Sequence, residues 1–425
     1  MSPPTRISRR TLLVGTPLAV TALSLPGRAQ TPIVAPSGMR TLRARPGFAA
    51  LWGVTGPLTP IWGYDGTAPG PLLRVKRGDE LRVRLVNELP APTSLHWHGV
   101  RAPNAMDGVA GLTQPPVAPG ADFEYVFRPP DAGTFWYHPA GDAVAQIRRG
   151  LRGALIVDEV TPVAVDRDVL LLFENWLLAP DGDNSTSHVT VNGEPELEIP
   201  VRTHERLRLR LVHAAAAQAL RLRIERHAPL VMAIDGQPAE PYLAQEGRLI
   251  LGPGNRIDVV LDITLRANED AAIQAENFRR PIVTLACGGE PMRDSVLPEP
   301  QPLPPNPLPQ RLDLRTALRH EIRLDMLASL PGPQPLFTVR RGRVVVLALV
   351  NRAAVATSVH VHGHHVRHLD RLDDGWKPYW LDTISVPPGL TERVAFLADN
   401  PGQWLIEAQP LAPAQATTAA WFAVG

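Results

Sequence analysis

One sequence pattern occurs three times along the chain, and it constrains the fold more than any other feature. The copies begin at residues 75, 201 and 339 and read VKRGDELRVRLVN, VRTHERLRLRLVH and VRRGRVVVLALVN. Each copy has the pattern of a β-strand: the first two alternate polar and apolar residues, and the third is more uniformly apolar. Copies this far apart predict three domains of one fold rather than a solenoid of short units.

A second recurring element supports the same organisation. PGADFEYVFRPPDAGTFWYHP begins at Pro119 and PGLTERVAFLADNPGQWLIEA at Pro388, while the middle of the chain keeps only PGNRIDVVLDI from Pro253. Short strands between turn signals, in a chain with 46 prolines and 33 glycines, predict an all-β protein of three tandem Greek-key β-sandwich domains. The predicted limits are residues 45–160, 165–295 and 311–425, with the proline-rich stretch 296–310 as a linker before the third domain.

Two histidine pairs occupy matching positions of the repeat. His96 and His360 each lie 21 residues after the start of their copy, and each is followed two residues later by a second histidine, His98 or His362. Residues two apart on a strand point to the same face, so each pair directs two imidazoles to one place. Two pairs that face each other across a domain interface predict a metal site. Four buried, hydrogen-bonded histidines without a metal are the alternative.

The middle copy of the repeat has no histidine at these positions, because Leu222 and Ile224 occupy them. The middle domain is therefore predicted to be a spacer without metal ligands. Five further histidines are predicted to lie among solvated strands and loops: His188, His204, His213, His227 and His320.

The N-terminal segment has the pattern of an export signal. Arg9 and Arg10 precede an apolar run from Leu12 to Leu25, and small residues follow near residue 29. The run is too short for a transmembrane helix, and SRRTL resembles the twin-arginine export consensus; an ordinary secretory signal is the alternative. Residues 1–29 are predicted to be this signal, and the mature chain is predicted to work in a bacterial periplasm without a transmembrane segment.

Charge and cysteine content narrow the class of protein further. The formal net charge is only +1, so no nucleic-acid partner is predicted. Cys287 is the single cysteine of the sequence, which excludes an intramolecular disulfide. Stability must therefore come from apolar cores.

Several blocks of the sequence resemble the signature motifs of multicopper oxidases, which are three-domain cupredoxin proteins. The blocks include LHWHGVRAPNAMDGVAGLTQPPVAPG, GTFWYHP, GLRGALIV, VHVHGHH and LDTISVPPG, and the resemblance covers nearly everything after about residue 45. It implies cupredoxin-like domains and copper as the cofactor. In this family a type 1 copper with cysteine, histidine and methionine ligands takes electrons from substrate, and a trinuclear cluster held by four His-x-His pairs reduces dioxygen.

Carried over residue by residue, the resemblance implies an incomplete ligand set for the trinuclear cluster. The first and third pairs are intact, the second keeps only His138, and Glu407-Ala408-Gln409 replaces the fourth. His96 and His360 correspond to the ligands of type 2 copper. The remaining three correspond to ligands of the two type 3 coppers: His98, His138 and His362.

The resemblance implies that type 1 copper has lost its ligands. The positions of its cysteine, its two histidines and its methionine are occupied by Ala408, Thr357, Pro413 and approximately Thr418. Without type 1 copper, a reducing substrate has no point at which to deliver electrons. The chain is therefore predicted not to be a competent four-copper oxidase by itself, and whether it is an enzyme stays open.

The predicted function is that of an exported, multicopper-oxidase-like protein that binds copper at a type-2-like site, with oxidase activity lost or altered. Glu407 and Gln409 are predicted substitute ligands, and their oxygens suit zinc or manganese better than cuprous copper. Asp107 resembles the family's acidic residue that assists proton delivery; a turn-capping role is the alternative. The partner is predicted to be an unidentified small molecule or a periplasmic protein.

A copper-free periplasmic scaffold is the alternative function. The export signal and the missing ligands resemble those of copper-free family members that are associated with bacterial cell division. On that hypothesis the cupredoxin scaffold serves protein binding alone, and the remaining histidines hold no metal.

Overall fold

The computed structural model describes residues 33–34, 38–141, 144–178, 186–215, 218–276, 278, 280–328, 332–370, 375–412 and 416–425. The predicted export signal, residues 1–29, lies outside the described residues. Across the described ranges the strands form six sheets, two for each of three sandwiches. This arrangement confirms the predicted all-β fold. In the same ranges, no helix has the length and apolar character needed to cross a bilayer.

The first sandwich contains the strands β1 (Ile33–Val34), β2 (Arg40–Ala49), β3 (Thr59–Tyr64), β4 (Leu73–Lys76), β5 (Leu81–Asn87), β6 (His96–His98), β7 (Asp122–Phe127), β8 (Gly133–His138) and β9 (Gly153–Asp158). A 3-10 helix, Asn104–Met106, follows β6, and the helix α1, Val144–Arg149, lies between β8 and β9. One sheet has the order β1-β4-β9-β8-β6 and the other the order β3-β2-β5-β7. The core between them contains the fully buried Trp97.

The second sandwich contains β10 (Arg167–Leu178), β11 (Thr186–Val191), β12 (Leu197–Val201), β13 (Arg206–His213), β14 (Leu220–Ile224), β15 (Leu230–Ile234), β16 (Gln237–Leu243), β17 (Arg248–Leu251), β18 (Arg256–Asp262), β19 (Asp270–Ala275) and β20 (Pro281–Cys287). A 3-10 helix, Gln245–Gly247, precedes β17. The sheet orders are β11-β10-β13-β18-β15-β16 and β12-β20-β19-β14-β17. Cys287 is buried in the apolar core of this domain.

The third sandwich contains β21 (Leu318–Arg323), β22 (Thr338–Val339), β23 (Arg343–Val350), β24 (Thr357–Val361), β25 (Val366–Leu369), β26 (Trp376–Leu381), β27 (Thr383–Val386), β28 (Thr391–Ala398), β29 (Gly402–Pro410) and β30 (Thr418–Val424). A 3-10 helix, Leu324–Met326, follows β21. The sheet orders are β21-β23-β28-β25-β26 and β22-β30-β29-β24-β27.

Each copy of the repeated pattern forms two strands rather than the predicted one. In the first copy, β4 ends at Lys76, a turn contains Gly78, and β5 begins at Leu81 in the opposite sheet. The second and third copies form β12–β13 and β22–β23 in the same way. The single-strand prediction was wrong because the polar turn residues 77–80 carry the chain from one sheet of the sandwich to the other.

The polar face of β13 is buried, although its alternating sequence predicts a half-buried strand. All of β13 is buried, and its arginines are paired with acidic residues. Arg208 Nη2 lies 2.7 Å from Asp258 Oδ2, and Arg210 Nε lies 2.7 Å from Asp168 Oδ1. Arg210 also donates to Thr134 Oγ1 of the first domain at 2.9 Å. The first two domains are therefore joined through buried charges that are compensated at short range.

The chain between the second and third sandwiches is held in place by Asn306. Residues 288–317, which include the predicted linker, contain neither helix nor strand. Asn306 Nδ2 donates to the carbonyl oxygen of Ala132 at 2.8 Å and to Gln237 Oε1 at 2.9 Å. Asn306 Oδ1 accepts a bond of 2.9 Å from the Ala132 N–H. The linker is thus fixed to both preceding domains.

We expect Asn306→Leu to lower the free energy of unfolding by about 1–3 kcal/mol, because the Ala132 backbone groups and Gln237 Oε1 would lose the hydrogen bonds that Asn306 makes to them. Urea unfolding followed by tryptophan fluorescence measures the change. Gln301→Leu, at an exposed position of the same linker, is the matched control and should change stability by less than about 0.5 kcal/mol. Equal losses in the two variants would contradict the anchoring role.

Candidate metal centre

Five histidines from the first and third domains meet in one buried cluster. Trp97 and Val359 point into the two apolar cores, so the histidines that alternate with them on β6 and β24 point toward the domain interface. His362 lies in the turn directly after β24. Each residue of the cluster is at most 5% exposed: His96, His98, His138, His360 and His362.

His96 and His360 face each other across the interface. Their Nε2 atoms are 3.3 Å apart. His96 Nδ1 lies 2.7 Å from the carbonyl oxygen of Asp107, and His360 Nδ1 lies 3.0 Å from the carbonyl oxygen of Asp382. A carbonyl oxygen can only accept, so each Nδ1 carries the proton and each Nε2 presents a lone pair to the other. Such a pair of buried acceptors is suited to holding a cation between them.

His98 and His138 instead form part of a complete hydrogen-bond chain. His138 Nδ1 donates to the carbonyl oxygen of Pro139 at 2.7 Å, so its Nε2 is an acceptor. His98 Nδ1 lies 3.1 Å from that Nε2. His98 Nε2 lies 2.8 Å from Thr383 Oγ1, whose hydroxyl donates to Asp382 Oδ1 at 2.8 Å. Every ring nitrogen of this pair therefore has a protein partner.

His362 lies between two carboxylates. Its Nδ1 is 3.0 Å from Asp107 Oδ2, and its Nε2 is 3.6 Å from Glu407 Oε2, which is beyond hydrogen-bond distance. Glu407 comes from β29, and its Oε1 accepts a bond of 3.1 Å from the Gly141 N–H. The fully buried His362 Nε2 has no hydrogen-bond partner.

Burial keeps three of these histidines neutral. It lowers the pKa of His360 to about 4 and the pKa values of His98 and His138 well below the usual value. For His362, burial opposes protonation, but the Asp107 and Glu407 carboxylates outweigh it and raise the pKa to about 9. Burial also opposes ionisation of Glu407, yet contact with His362 lowers its pKa to about 2. Neutral imidazoles are the form that binds metal ions.

The strand register places Glu407 where the first domain has His138. His96 pairs with His138 between β6 and β8, and His360 pairs with Glu407 between β24 and β29. Gln409, two residues further along β29, borders the same cavity as Glu407 and accepts a hydrogen bond from Thr417. The two predicted oxygen donors thus lie on the side of the sheet that faces the histidines.

The positions that correspond to type 1 ligands lie on the other side of this sheet. Ala408 is fully buried in the core of the third domain, next to its strand partner Val359, and Thr357 is 3% exposed. Thr418 donates to the Ala408 carbonyl oxygen at 3.4 Å, and Pro413 lies outside the described residues. Thr357, Ala408 and Thr418 offer neither a thiolate nor an imidazole.

Asp382 and Thr383 contact ring nitrogens of the cluster and so orient its histidines. The sequence analysis assigned neither residue a role. Thr383 holds His98, the Asp382 carbonyl holds His360, and the Asp382 carboxylate accepts a bond of 2.8 Å from Arg256 Nη1. The sequence signal that could have indicated them is the block LDTISVPPG, which was recognised as a family motif but not as part of the site. Their role depends on tertiary contacts that spacing does not show.

The middle domain is more than the predicted spacer. It supplies none of the five histidines, but Arg256 on β18 is fully buried against the cluster's supporting residues. Arg256 Nε donates to the Thr134 carbonyl oxygen of the first domain at 3.2 Å. Asp235 accepts bonds from the backbone N–H groups of Asp382 and Thr383 in the third domain. The prediction was wrong because it considered metal ligands only.

A small cavity borders the cluster. Its volume is about 60 Å³, and its lining includes His98, His138, His360, Glu407 and Gln409. A buried water needs roughly 10–15 Å³ of such space, so the cavity has room for a few water molecules.

Two histidines outside the cluster are also more buried than predicted. His188 and His213 are 8% and 2% exposed, although the sequence predicts solvated positions. His188 Nε2 donates to the Leu51 carbonyl oxygen at 2.6 Å, and His213 Nδ1 donates to the Leu251 carbonyl oxygen at 3.1 Å. Burial lowers the pKa of His213 to about 4. These two are structural histidines.

The donor atoms of the cluster lie close enough together to bind a metal ion. Those of His96, His98 and His360 lie within 4.8 Å of one another, and so do those of His96, Asp107 and His362. Three β-sandwiches with this cluster between the first and the third define a multidomain cupredoxin-like protein with a candidate metal centre.

Three family models, each described as multicopper oxidase, match residues 51–161, 167–281 and 304–425. The chain belongs to the multicopper oxidase family, and that family implies copper as the metal. The multicopper oxidase MmcO of Mycobacterium tuberculosis is 26% identical over 428 residues, which cover 83% of this chain and 80% of that protein. Copper resistance protein A of Escherichia coli is 37% identical over 125 residues, which cover 29% of this chain and 20% of that protein.

Solved structures support the same assignment. A multi-copper oxidase from Pseudomonas thermotolerans superimposes with a TM-score of 0.82 at 31% identity, over 91% of this chain and 99% of that chain. Lac15, from a marine microbial metagenome, gives a TM-score of 0.79 at 32% identity, over 90% of this chain and 100% of that chain. The likeness extends through all three domains.

Proposed function

We propose that this protein binds one copper ion between His96 and His360 and that it does not work as a four-copper oxidase by itself. The observation that carries the proposal is the 3.3 Å separation of the two buried Nε2 atoms, each with its ring proton directed to a backbone carbonyl. Metal-binding histidines commonly have their second ring nitrogen held in this way. Nitrogens 3.3 Å apart can both reach an ion at about 2.0 Å.

The residues around this pair fit a copper ion. Imidazole nitrogen suits copper, and both rings are buried away from bulk water. A copper ion bound there supplies one-electron redox chemistry. The chain's own contribution is to orient His96 through Asp107, to orient His360 through Asp382, and to provide a cavity of about 60 Å³ beside the pair for water or a small ligand.

The residues do not fit a type 1 copper. Thr357 and Ala408 are buried where thiolate and imidazole ligands would be needed, and Cys287, the single cysteine of the sequence, lies in the core of the middle domain. Without these ligands there is no thiolate-bound copper to accept electrons from a reducing substrate. The proposed loss of four-copper oxidase activity rests on this substitution.

Localisation in the periplasm is proposed from the sequence of residues 1–29 alone, with export by the twin-arginine route. The proposed partner is a small molecule that reaches the cavity or a periplasmic protein.

We expect His96→Ala and His360→Ala each to weaken copper binding by more than about 100-fold, because each removes one of two direct ligands, whereas loss of an outer contact alone costs 10–100-fold. Metal analysis after dialysis against copper, together with electron paramagnetic resonance, measures the change. The wild type should hold one copper with a type 2 signal and without an intense blue absorption. His320→Ala, outside the cluster, is the control and should retain the ion.

Two outcomes would contradict the proposal. A blue thiolate band would show that a type 1 site exists. Wild-type protein that retains no copper would remove the proposed function and favour the copper-free scaffold.

A further inference from the structure

A groove of about 450 Å³ lies where the linker crosses the surface of the first domain. It is lined by residues 77–78 after β4, residues 128–130 after β7 and residues 305–307 of the linker, so it shares no residue with the histidine cluster. Binding sites for small molecules have volumes of about 300–1,000 Å³. The groove is therefore large enough for a small organic ligand, and the chemistry of its walls indicates which class.

The walls of the groove are apolar and held together. Their apolar surface comes from four prolines, whose rings carry no N–H donor and whose φ angles are fixed: Pro129, Pro130, Pro305 and Pro307. Asn306, between the two linker prolines, bonds to the carbonyl oxygen and the N–H of Ala132 at 2.8 and 2.9 Å. The two proline segments are thus tied to each other, and binding a ligand between them requires little reordering.

Arg77 directs hydrogen-bond donors into the groove. Its side chain is half-buried, and Nη1 lies 3.4 Å from Asn306 Oδ1, an oxygen that already accepts the shorter bond from Ala132. Arg77 forms no ion pair with any residue that the structure describes. A guanidinium has five N–H donors and no acceptor. Most of the Arg77 donors therefore have no protein acceptor within the described residues.

Arg128 adds a second positive charge to the groove. Its Nη1 donates to the Gly78 carbonyl oxygen at 2.9 Å, which holds the guanidinium beside the residue that follows Arg77. Arg128 Nη2 lies 3.5 Å from Glu80 Oε2, but the Arg128 side chain is 61% exposed, so this pair contributes little. Across the described part of the chain, no carboxylate lines the groove. Two cations without a lining anion attract a negatively charged ligand.

We propose that this groove binds a small organic anion that has an apolar ring, of the aromatic carboxylate class. The planar Arg77 guanidinium suits a carboxylate, which it can bind through two parallel N–H bonds. The ring would lie against the proline walls, and Arg128 would add long-range attraction. The site goes beyond the proposed copper binding and does not depend on it, because the two sites have no residue in common.

The test uses the full chain and benzoate as the probe, with saturation-transfer difference NMR at low salt. We expect saturable binding of benzoate to the wild type. Arg77→Gln should weaken this binding by at least about 10-fold, because it removes charge-assisted hydrogen bonds to the carboxylate. Arg315→Gln, at an exposed position after the linker, is the matched control and should bind benzoate like the wild type.

Two further probes separate the contributions of charge and ring. Acetate has the carboxylate without the ring, and benzyl alcohol has the ring without the charge, so each should bind at least about 10-fold more weakly than benzoate. Acetate binding as tight as benzoate binding would indicate an adventitious ion only and would overturn the proposal.

A second variant keeps the test decisive if Arg77→Gln folds poorly. Arg128→Gln changes a largely exposed side chain, so the fold should persist, and benzoate binding should weaken several-fold through the lost charge. Thermal unfolding checks that each variant is folded. Wild-type protein that does not bind benzoate, or benzoate binding that folded Arg77→Gln or Arg128→Gln leaves unchanged, would refute the site.

Discussion

Arg256→Leu is expected to lower the free energy of unfolding by about 3–5 kcal/mol, because it removes one partner of a buried ion pair. Arg256 is fully buried, donates to Asp382 Oδ1 at 2.8 Å and lies 3.6 Å from Asp235 Oδ1. Without the guanidinium, both buried carboxylates would lose the arginine that neutralises their charge. Because Asp382 also holds His360, we expect copper affinity to fall as well. Urea unfolding and copper titration measure the two effects.

Two comparison variants isolate the cause of this loss. Arg280→Leu removes an arginine of an exposed pair, 2.6 Å from Glu196, and should leave the unfolding midpoint unchanged. The double variant Arg256→Leu/Asp382→Leu removes both charges and should be less destabilised than Arg256→Leu alone. If Arg256→Leu is as stable as the wild type, then Arg256 does not neutralise the Asp235 and Asp382 carboxylates in the way described.

Gly108→Ala is expected to disrupt the cluster through the backbone. Gly108 follows Asp107 and has a φ of +80°, and a β-carbon built on it would lie 1.8 Å from the Leu95 carbonyl oxygen. Leu95 directly precedes His96, so the clash would move His96 away from the Asp107 carbonyl oxygen that orients its ring. We expect a loss of about 2–5 kcal/mol in stability, from the strained φ and the overpacking together. Copper affinity should fall by about 10–100-fold.

Gly111→Ala provides a matched control for this effect. Gly111 has nearly the same φ, +81°, but a β-carbon there would meet nothing within 4 Å. Its substitution should therefore show only the backbone strain, about 1–2 kcal/mol, and copper binding should persist. If the two variants lose the same stability and the same copper affinity, the contact with Leu95 has no role.

Much of the metal centre could be predicted from the internal repeat. Equal offsets identified His96 and His360 as equivalent, and the structure brings their Nε2 atoms within 3.3 Å. Glu407 and His138 occupy the same position in the two copies of the second recurring element, which begin at Pro388 and Pro119. The strand register gives both residues the same partner position. These features follow from alternation on strands and from the equivalence of the domains, which a sequence records directly.

The support beneath the histidines could not be predicted in the same way. Arg256 is 158 residues after His98 in the sequence, and its role arises only when the three domains pack together. The arginines of β13 have the alternation of an exposed face, yet they are buried because another domain covers that face. Alternation distinguishes one face of a strand from the other but does not reveal what covers the polar face.

The proposed copper ligands His96 and His360 are 264 residues apart in the chain. During synthesis, which proceeds from the N-terminus and lets early domains fold first, a nascent chain carries His96, His98 and His138 long before the opposite half of the site exists. The two facing nitrogens come together only after the third sandwich has packed against the first. If copper binds there as proposed, it can be loaded only after the third domain has folded, because an incomplete chain lacks His360.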